Sequence, residues 1–363
     1  MLFYRKIRDW VLKLFALILT TKMADGLFQV YHHNEPFLLE SGEILPSVDI
    51  AYHTYGRHDK TVNNVIWVCH AFTANSDVAD WWKGLVGEGR FYNPSDYFIV
   101  CANKIGSCYG STGPLSTNPR TGHPWFHSFP EISIRDMVNA HELLRNHLGI
   151  EKIHTVLGGS TGGHQALEWA IMDPGLHDHL VCIANHARSS PWSIAFSQSQ
   201  RLAIMADQTW EDSRPDAGER GLAAARSIAL LSYRNYRTYL ETQSDADNNK
   251  KKGFRAMSYQ NYQGEKLVMR FNAYSYMRLL DALDSHNIGR NRDTIENVLS
   301  SIRAKTLVIG ISSDLLFPVE EQLFITERIP GATFSRIESL FGHDGFLIET
   351  DSIASAIERF YER

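Results

Sequence analysis

The sequence predicts an α/β fold in which helices cover both faces of a mostly parallel central sheet. Apolar runs of five to eight residues alternate along the chain with segments of helical period. A long polar stretch of helical character, residues 191–303, interrupts this alternation before the strand pattern resumes. Because strand–helix–strand units form parallel sheets that bind ligands at the carboxyl ends of their strands, we expect this stretch to form a cap over that edge.

The first half of the predicted sheet lies before the cap. Continuous apolar runs are typical of buried strands, and apolar residues spaced by three or four are typical of amphipathic helices. These patterns predict four strands, Asn64–His70, Tyr97–Asn103, Ile153–Gly158 and Leu180–Ala184, and two helices, Ile132–Leu148 and Gly162–Met172.

The second half follows the cap, which includes a solvated loop at Gln243–Gly253. A strand at Thr306–Ile311, a helix after Pro318, a strand at Ala332–Ile337 and a final helix at Ile348–Tyr361 are predicted. The predicted organisation is therefore an N-terminal extension (1–22), a core in two parts (23–190 and 304–363) and a cap (191–303). The cap is inserted before the strand Thr306–Ile311, which leads to the candidate acidic residue Asp314.

Composition narrows the class of protein. The 363 residues are 44% hydrophobic and include 18 Phe, 15 Tyr and 8 Trp, which excludes a disordered chain. A net charge of −5 without a long basic block argues against nucleic-acid binding, which depends on phosphate neutralisation. Four scattered cysteines, three of them in apolar runs, predict free thiols and a cytoplasmic location.

The N-terminal extension contains the apolar run Trp10–Thr21. The run is too short to span a bilayer, is interrupted by Lys13, and lacks the features of a secretory signal. We expect residues 1–22 to be a dispensable extension upstream of a start at Met23. The alternative is a basic amphipathic helix on a membrane surface, but membrane contact is not expected.

A candidate nucleophile lies in Gly158–Gly162, which matches G-x-S-x-G with Ser160 at its centre. The match follows a predicted strand and begins a predicted helix, which is the setting of a nucleophile elbow. Such a turn forces the serine backbone into a strained conformation and lifts its hydroxyl above the sheet. The alternative is a glycine-rich turn without chemistry.

A serine hydroxyl needs a base, and the base needs an acid that orients it. Asp314 follows the predicted strand Thr306–Ile311, and His343 follows the next predicted strand, which gives the chain order serine, acid, histidine. The alternatives are a helix-capping role for Asp314 and a polar loop position for His343. The pattern predicts a Ser160–His343–Asp314 triad.

Two backbone N–H groups are needed to bind the oxyanion that forms during acyl transfer. Thr161 directly follows the nucleophile, and Phe72 lies in the loop after the first predicted core strand. We therefore predict the N–H groups of Phe72 and Thr161 as the oxyanion hole. No H-E-x-x-H or C-x-x-C motif is present, and the His32–His33 pair precedes a predicted strand, so no metal is predicted.

Several strings together resemble the homoserine O-acyltransferase family, which includes homoserine O-acetyltransferase and is a branch of the α/β-hydrolase fold. The resemblance covers residues from about 35 to 361. It is carried by His70–Thr73, Gly106–Pro114, Phe129–Pro130, Gly158–Ala170, Gly221–Tyr233, Leu283–Arg290, Ser313–Pro318 and His343–Glu349.

The resemblance implies a function in methionine biosynthesis. Ser160 would be acylated by acyl-CoA, expected to be acetyl-CoA with succinyl-CoA left open, and the acyl group would pass to the hydroxyl of L-homoserine in a ping-pong reaction. Arg226 would hold the carboxylate of the amino acid with Tyr233 nearby, and Asp344 would receive its ammonium. The resemblance further implies a homodimer and no cofactor beyond the co-substrate acyl-CoA.

The chain departs from the family pattern around the nucleophile. Thr161 and His164 stand where the family usually has methionine, and Ala74–Asp77 replaces a segment with glycine and histidine. Ala273–Tyr274 also replaces the more usual Ala-Asn of the cap. These changes alter the expected pocket wall and leave the acyl group and the acceptor open.

The sequence is compatible with three other functions. A serine esterase of the same fold would hydrolyse esters regardless of homoserine. An acyltransferase that acts on another hydroxy amino acid, such as serine, would use the same triad. A non-catalytic member of the fold is disfavoured because such proteins often lose the serine or the histidine, which this chain retains.

Overall fold

The structure is a computed structural model that describes residues 26–363. The predicted extension 1–22 and its membrane-surface alternative lie outside the described residues. Within residues 26–363, no helix combines the length and the apolar character that a bilayer crossing requires.

An eight-stranded sheet forms the centre of the molecule. Its strands are β1 (Leu27–His33), β4 (Val48–Tyr55), β5 (Val65–Cys69), β6 (Phe98–Ala102), β7 (Ile153–Gly159), β8 (His177–Ile183), β9 (Lys305–Ile311) and β10 (Thr333–Ile337). They lie side by side in the order β1-β4-β6-β5-β7-β8-β9-β10. The six strands from β6 to β10 in this order are parallel, whereas β1 and β4 pair antiparallel at one edge. This arrangement confirms the predicted fold class.

The antiparallel edge was not among the predicted strands. β1 contains the His32–His33 pair, which therefore lies within a strand and not before one. Gln29 interrupts the apolar residues of β1 and its side chains are exposed or half-buried, so the strand lacks the continuous apolar run of a buried strand. A short hairpin of β2 (Phe37–Leu38) and β3 (Ile44–Leu45) connects β1 to β4.

The helices fall largely where the sequence predicts them. They are α1 (Val78–Trp81), α2 (Ile134–His147), α3 (Thr161–Met172), α4 (Pro191–Met205), α5 (Glu219–Tyr233), α6 (Tyr236–Gln243), α7 (Arg255–Val268), α8 (Ala273–Asp284), α9 (Ile295–Ser300), α10 (Val319–Arg328), α11 (Gly345–Ile348) and α12 (Thr350–Tyr361). The predicted final helix Ile348–Tyr361 is α12, which begins two residues later at Thr350 and follows the short α11.

Residues 191–303, predicted as a cap, form helices α4 to α9 and contribute no strand to the sheet. They connect β8 to β9, which are neighbours in the sheet. The chain therefore leaves the sheet, forms a helical layer and returns beside the strand that it left. The domain boundaries themselves stay a prediction.

The core lies on both faces of the sheet. Trp67 on β5 and Trp169 on α3 are fully buried and meet edge to face with ring centroids 4.9 Å apart. Trp82 is fully buried on the other face, where its indole N–H donates to the Phe346 carbonyl over 3.0 Å. Because aromatic side chains bury large apolar areas, these contacts fix α3 and the segment after His343 against the sheet.

A group of charges around the buried Glu168 holds α3 to its surroundings, and we call it the Glu168 cluster. It consists of Glu40, Arg135, Glu168, Arg290 and Arg292. The Glu168 carboxylate is 2% exposed and accepts from Arg135 Nε at 2.8 Å and Arg292 Nη2 at 2.6 Å. Glu40 accepts from Arg135 at 2.6 Å and Arg290 at 2.7 Å. Because each charge has a hydrogen-bonded partner, burial does not leave any of the five charges unpaired.

Candidate active site

Ser160 sits on a sharp turn between β7 and α3 with φ of 58° and ψ of −128°. Positive φ is uncommon for a residue with a side chain and costs of order 1–3 kcal/mol. The Ser160 N–H donates to the Ile183 carbonyl at 2.9 Å, and its carbonyl accepts from the His164 N–H at 3.2 Å. The backbone on both sides therefore holds the strained residue in place, as the G-x-S-x-G pattern predicts.

The glycines of the motif are required by close backbone contacts. A Cβ on Gly162 would lie 2.0 Å from the Cys69 carbonyl oxygen, and one on Gly158 would lie 2.3 Å from the Gly162 carbonyl carbon. Real Cβ atoms do not approach backbone this closely, so any other residue would push α3 away from β5. Ser160 thus owes its position to the absence of side chains at these two places.

Asp314 and His343 are joined by a short hydrogen bond. His343 Nδ1 lies 2.6 Å from Asp314 Oδ2, and both side chains are buried. The second carboxylate oxygen, Oδ1, accepts from the N–H groups of Leu316 and Phe317 at 2.8 and 2.9 Å. Because all three contacts fix the carboxylate, Asp314 orients the imidazole and leaves His343 Nε2 as the nitrogen available for a proton transfer.

The loop that carries His343 is fastened to the loop that carries Asp314. The Gly342 N–H donates to Ser313 Oγ at 3.0 Å, and Gly342 has φ of 64°. A Cβ on Gly342 would lie 2.8 Å from the Tyr233 carbonyl oxygen at the end of α5. Glycine is therefore needed here because the backbone is left-handed and a cap helix approaches closely.

Ser160 and His343 line one cavity of about 410 Å³. Its wall comes from the loop after β5, helix α1, the elbow, helix α5, the region of helix α7 and the segment around His343. The lining residues are Ala71, Phe72, Thr73, Ala74, Asn75, Asp80, Trp81, Ser160, Arg226, Tyr233, Lys266, Arg270, His343, Asp344, Phe346 and Leu347. The structure thus brings the serine, the Asp314-bound histidine and the predicted substrate-binding residues together.

The two predicted oxyanion donors lie in the segments that adjoin the cavity. Phe72 lines the cavity and Thr161 is the first residue of α3. Within the described part of the chain, neither backbone N–H has an acceptor. Two N–H groups without protein partners beside a nucleophile are what an oxyanion hole requires.

Arg226 and Tyr233 lie two turns apart on α5 and meet in the cavity wall. The Arg226 guanidinium carbon stands 5.2 Å from the centre of the Tyr233 ring. Burial raises the pKa of Tyr233, so its hydroxyl stays protonated at neutral pH. The pair therefore presents a cation and a neutral hydroxyl to the cavity.

Asp344 also lines the cavity, and the structure gives it a cationic neighbour that the sequence did not reveal. Arg234 Nε lies 3.0 Å from Asp344 Oδ2, and both side chains are mostly buried. Arg234 directly follows α5, so the contact links the end of this helix to the loop of the histidine. Two other cations, Lys266 and Arg270, line the cavity from the region of α7 and were also missed.

A group of three buried histidines lies behind the elbow, and we call it the histidine stack. It consists of His164, His186 and His286, whose ring nitrogens lie within 4.8 Å of one another. Adjacent rings meet at interplanar angles of 22–36°. The three imidazoles therefore pack against one another as an aromatic group.

The strand order, the elbow and the order of serine, acid and histidine define an α/β-hydrolase-fold protein. A family model described as "alpha/beta hydrolase fold" matches residues 64–350. Two solved structures show the same fold at 23% identity each. They are homoserine O-acetyltransferase from Bacillus anthracis (TM-score 0.86, covering 93% of this chain and 98% of that one) and esterase E22 (0.84, covering 92% and 99%).

Curated proteins share a higher sequence identity with this chain than these two solved structures do. Homoserine O-acetyltransferase of Cyclobacterium marinum is 46% identical over 333 residues, which cover 92% of this chain and 95% of that protein. The chain belongs to the homoserine O-acetyltransferase family, as the resemblance of its motifs predicted.

The buried histidines give the protein a distinctive pH dependence. Burial lowers the pKa of His141 and His286 to about 4 and of His177 to about 3, and also lowers those of His70, His164 and His186. Unfolded histidines titrate near pH 6.5, so the unfolded chain binds more protons below that pH. The unfolding free energy is therefore highest with respect to these histidines above about pH 6.5. It decreases as the pH falls towards the pKa values of the histidines in the folded protein.

His177 lies away from the cavity. We predict that the unfolding free energy of His177→Leu falls less steeply with decreasing pH than that of the wild type. Each such histidine adds up to about 1.4 kcal/mol per pH unit to the slope of the unfolding free energy. Urea unfolding at a series of pH values from 7 to 4 measures the slope. The exposed His123→Leu serves as the control, and equal slopes for His177→Leu and the wild type would contradict the prediction.

Proposed function

We propose that this protein transfers an acyl group, expected to be acetyl, from acyl-CoA to the side-chain hydroxyl of L-homoserine, as a step of methionine biosynthesis. The observation that carries the proposal is one cavity that contains Ser160, the Asp314-bound His343, and separate cationic and anionic side chains for an amino acid. The relatives named homoserine O-acetyltransferase support the same reaction.

In the first half-reaction Ser160 Oγ attacks the thioester carbonyl while His343 takes its proton. The N–H groups of Phe72 and Thr161 stabilise the oxyanion, and removal of one such donor typically costs about 2.7–4 kcal/mol. The carbon–sulfur bond then breaks, and the thiol of CoA leaves with the proton from His343. The product is an acyl ester on Ser160.

In the second half-reaction the homoserine hydroxyl gives its proton to His343 and attacks the acyl ester. The bond to Ser160 Oγ breaks, the serine regains the proton, and O-acylhomoserine leaves. Asp314 favours the imidazolium form in both halves because its carboxylate binds Nδ1.

The cavity charges explain why the acceptor is homoserine and not water. Arg226 binds the carboxylate of the amino acid, with Tyr233 beside it. Asp344 binds the ammonium, and the ion pair with Arg234, whose Nε lies 3.0 Å from Oδ2, keeps this carboxylate at the cavity. Such charge-assisted contacts are worth about 1.5–3 kcal/mol each and hold the hydroxyl at the acyl ester, where unpositioned water competes poorly.

The donor side of the cavity carries Lys266 and Arg270. Both side chains are exposed, so they meet a polyanionic donor such as acyl-CoA as it enters. We propose acyl-CoA as a co-substrate, no metal and no resident cofactor. Succinyl-CoA is the alternative donor that the assay below tests.

We further propose a homodimer in the cytoplasm. The four cysteines are free, which suits a reducing compartment. The predicted cap exposes apolar side chains on α4 to α7, and such a surface is typical of an interface between copies: Leu202, Met205, Leu231, Tyr236, Leu240, Met257 and Tyr262. Sedimentation equilibrium at micromolar concentration is expected to give twice the chain mass, and the mass of a single chain would contradict the proposal.

One assay separates the candidate reactions. Purified protein is given acetyl-CoA or succinyl-CoA with homoserine, with serine, or without an acceptor, and thiol release is followed. We expect release that depends on acetyl-CoA and homoserine together, with O-acetylhomoserine found by mass spectrometry. Equal release with and without homoserine would indicate a hydrolase, and release with serine alone would indicate a different acceptor.

Replacement of the nucleophile tests the covalent step. Ser160→Ala is expected to lose activity on the order of 10⁶-fold, since no oxygen remains to carry the acyl group. Intact mass after brief mixing with acetyl-CoA without homoserine is expected to show one acetyl adduct on the wild type and none on the variant. The exposed Ser199→Ala is the matched control, and an adduct on Ser160→Ala would refute the assignment.

Replacement of the acceptor cation tests substrate binding. Arg226→Ala is expected to lower kcat/KM for homoserine about 10- to 150-fold, the loss of one charge-assisted contact. The rate of acetylation of Ser160 by acetyl-CoA should change much less, because that step precedes acceptor binding. Arg237→Ala, an exposed arginine on α6, is the control, and unchanged homoserine kinetics would remove Arg226 from the site.

A further inference from the structure

Lys104 follows β6 and is one of the most deeply buried side chains of the molecule, with 1% exposure. Burial of an ammonium is costly unless its protons find acceptors. Among residues 26–363, no carboxylate lies within ion-pair distance of its Nζ. The steps proposed above do not use this lysine, so its charge needs another explanation.

The three contacts of Nζ all fall on the two backbone segments that bear the oxyanion donors. Nζ donates to the Ala71 carbonyl at 3.0 Å, to the Phe72 carbonyl at 3.4 Å and to Thr161 Oγ1 at 3.0 Å. An ammonium has three protons, and each has an acceptor here. Lys104 therefore connects the loop after β5 to the first turn of α3.

The contact with Ala71 acts on a particular peptide group. The Ala71 carbonyl and the Phe72 N–H belong to one trans peptide, in which they point in opposite directions. A cation on the oxygen therefore turns the N–H away from itself and polarises it as a donor. The same carbonyl also accepts from the Ala74 N–H at 3.2 Å and from His70 Nδ1 at 2.9 Å, so three donors fix this peptide.

His70 has a defined tautomer beside this peptide. Its Nδ1 faces a carbonyl and must donate, while its Nε2 accepts from the Lys104 N–H at 3.1 Å. Burial and the neighbouring Lys104 lower the pKa of His70 well below its usual value, which matches a neutral ring. The imidazole thus joins the Lys104 backbone to the same carbonyl that the Lys104 side chain contacts.

We propose that Lys104 is a positioning residue for acyl transfer, whose ammonium holds the Phe72 and Thr161 segments so that their N–H groups face the developing oxyanion. The proposal rests on the assignment of these two donors under the proposed function. Lys104 is a positioning residue and not a catalytic one, because it touches neither substrate nor reacting atoms.

The charge of Lys104 is expected to change within the working pH range. Burial lowers its pKa to about 7. The titratable groups that influence it from neighbouring elements are the thiols of Cys69 on β5 and Cys101 on β6 and the imidazoles of His70, His141 and His164. Above about pH 7 the ammonium loses a proton, and the neutral amine can donate to only two of its three acceptors.

The test measures acylation of Ser160 by stopped flow, with p-nitrophenyl acetate and with acetyl-CoA as donors. Lys104→Met keeps the length of the side chain and removes the charge. Its acylation rate constant is expected to fall about 10- to 100-fold, less than or similar to the loss of one oxyanion donor. The wild-type rate constant should decline from pH 7 to 9, and this decline should be absent from Lys104→Met.

Two further variants keep the test decisive. Thr161→Val removes one of the three acceptors while it keeps the Thr161 N–H, and is expected to slow acylation about threefold to tenfold. Lys305→Met replaces an exposed lysine at the start of β9 and should match the wild type. Thermal unfolding confirms that each variant is folded, and if Lys104→Met does not fold, the rate of Thr161→Val decides.

The outcomes separate this proposal from the proposed function. The role of Lys104 would be overturned if Lys104→Met acylates within twofold of the wild-type rate, or if both proteins have the same pH profile. If Thr161→Val is the deciding variant, acylation at the wild-type rate would overturn the role. A wild type that acylates with p-nitrophenyl acetate but never acetylates homoserine would overturn the proposed function alone. Slow ester acylation by Lys104→Met would then still support the role of Lys104.

Discussion

The close approach of the α3 backbone to the end of β5 is the constraint on which the site depends. Gly162 and Gly158 leave no space for side chains there, and Ser160 between them adopts a left-handed backbone. The strain is sustained because the sheet on one side and the helix on the other fix the turn through backbone hydrogen bonds. A looser turn would leave the hydroxyl among the strands, away from the cavity that His343 shares with residues of the predicted cap.

Much of the site follows from parallel topology. Strands that run in one direction bring their carboxyl ends to one edge, so Ser160 and the Asp314-bound His343 line one cavity although they are far apart in sequence. The elbow motif and the order of the three residues were therefore enough to predict which side chains gather. The α5 spacing of Arg226 and Tyr233 also placed them on one helix face, and the structure puts them in one cavity wall.

Other features could not be predicted because their signals are not local. Lys104 stands in a loop sequence where a lysine normally indicates solvent, and only the fold shows that its acceptors surround it. The histidine stack joins residues from three separate segments, and the Arg234–Asp344 contact joins a helix end to a distant loop. β1 escaped prediction since an exposed edge strand lacks a buried apolar run.

The Glu168 cluster has a consequence for behaviour on warming. Charged groups lose hydration free energy as temperature rises, so the desolvation cost of a network of ion pairs shrinks while the gain per apolar contact levels off. Helix α3, which begins directly after Ser160, is fastened by two arginines at Glu168. In heated protein this attachment should therefore outlast the apolar contacts of the predicted cap, and Ser160, the proposed nucleophile, should keep its place after the predicted cap has begun to loosen.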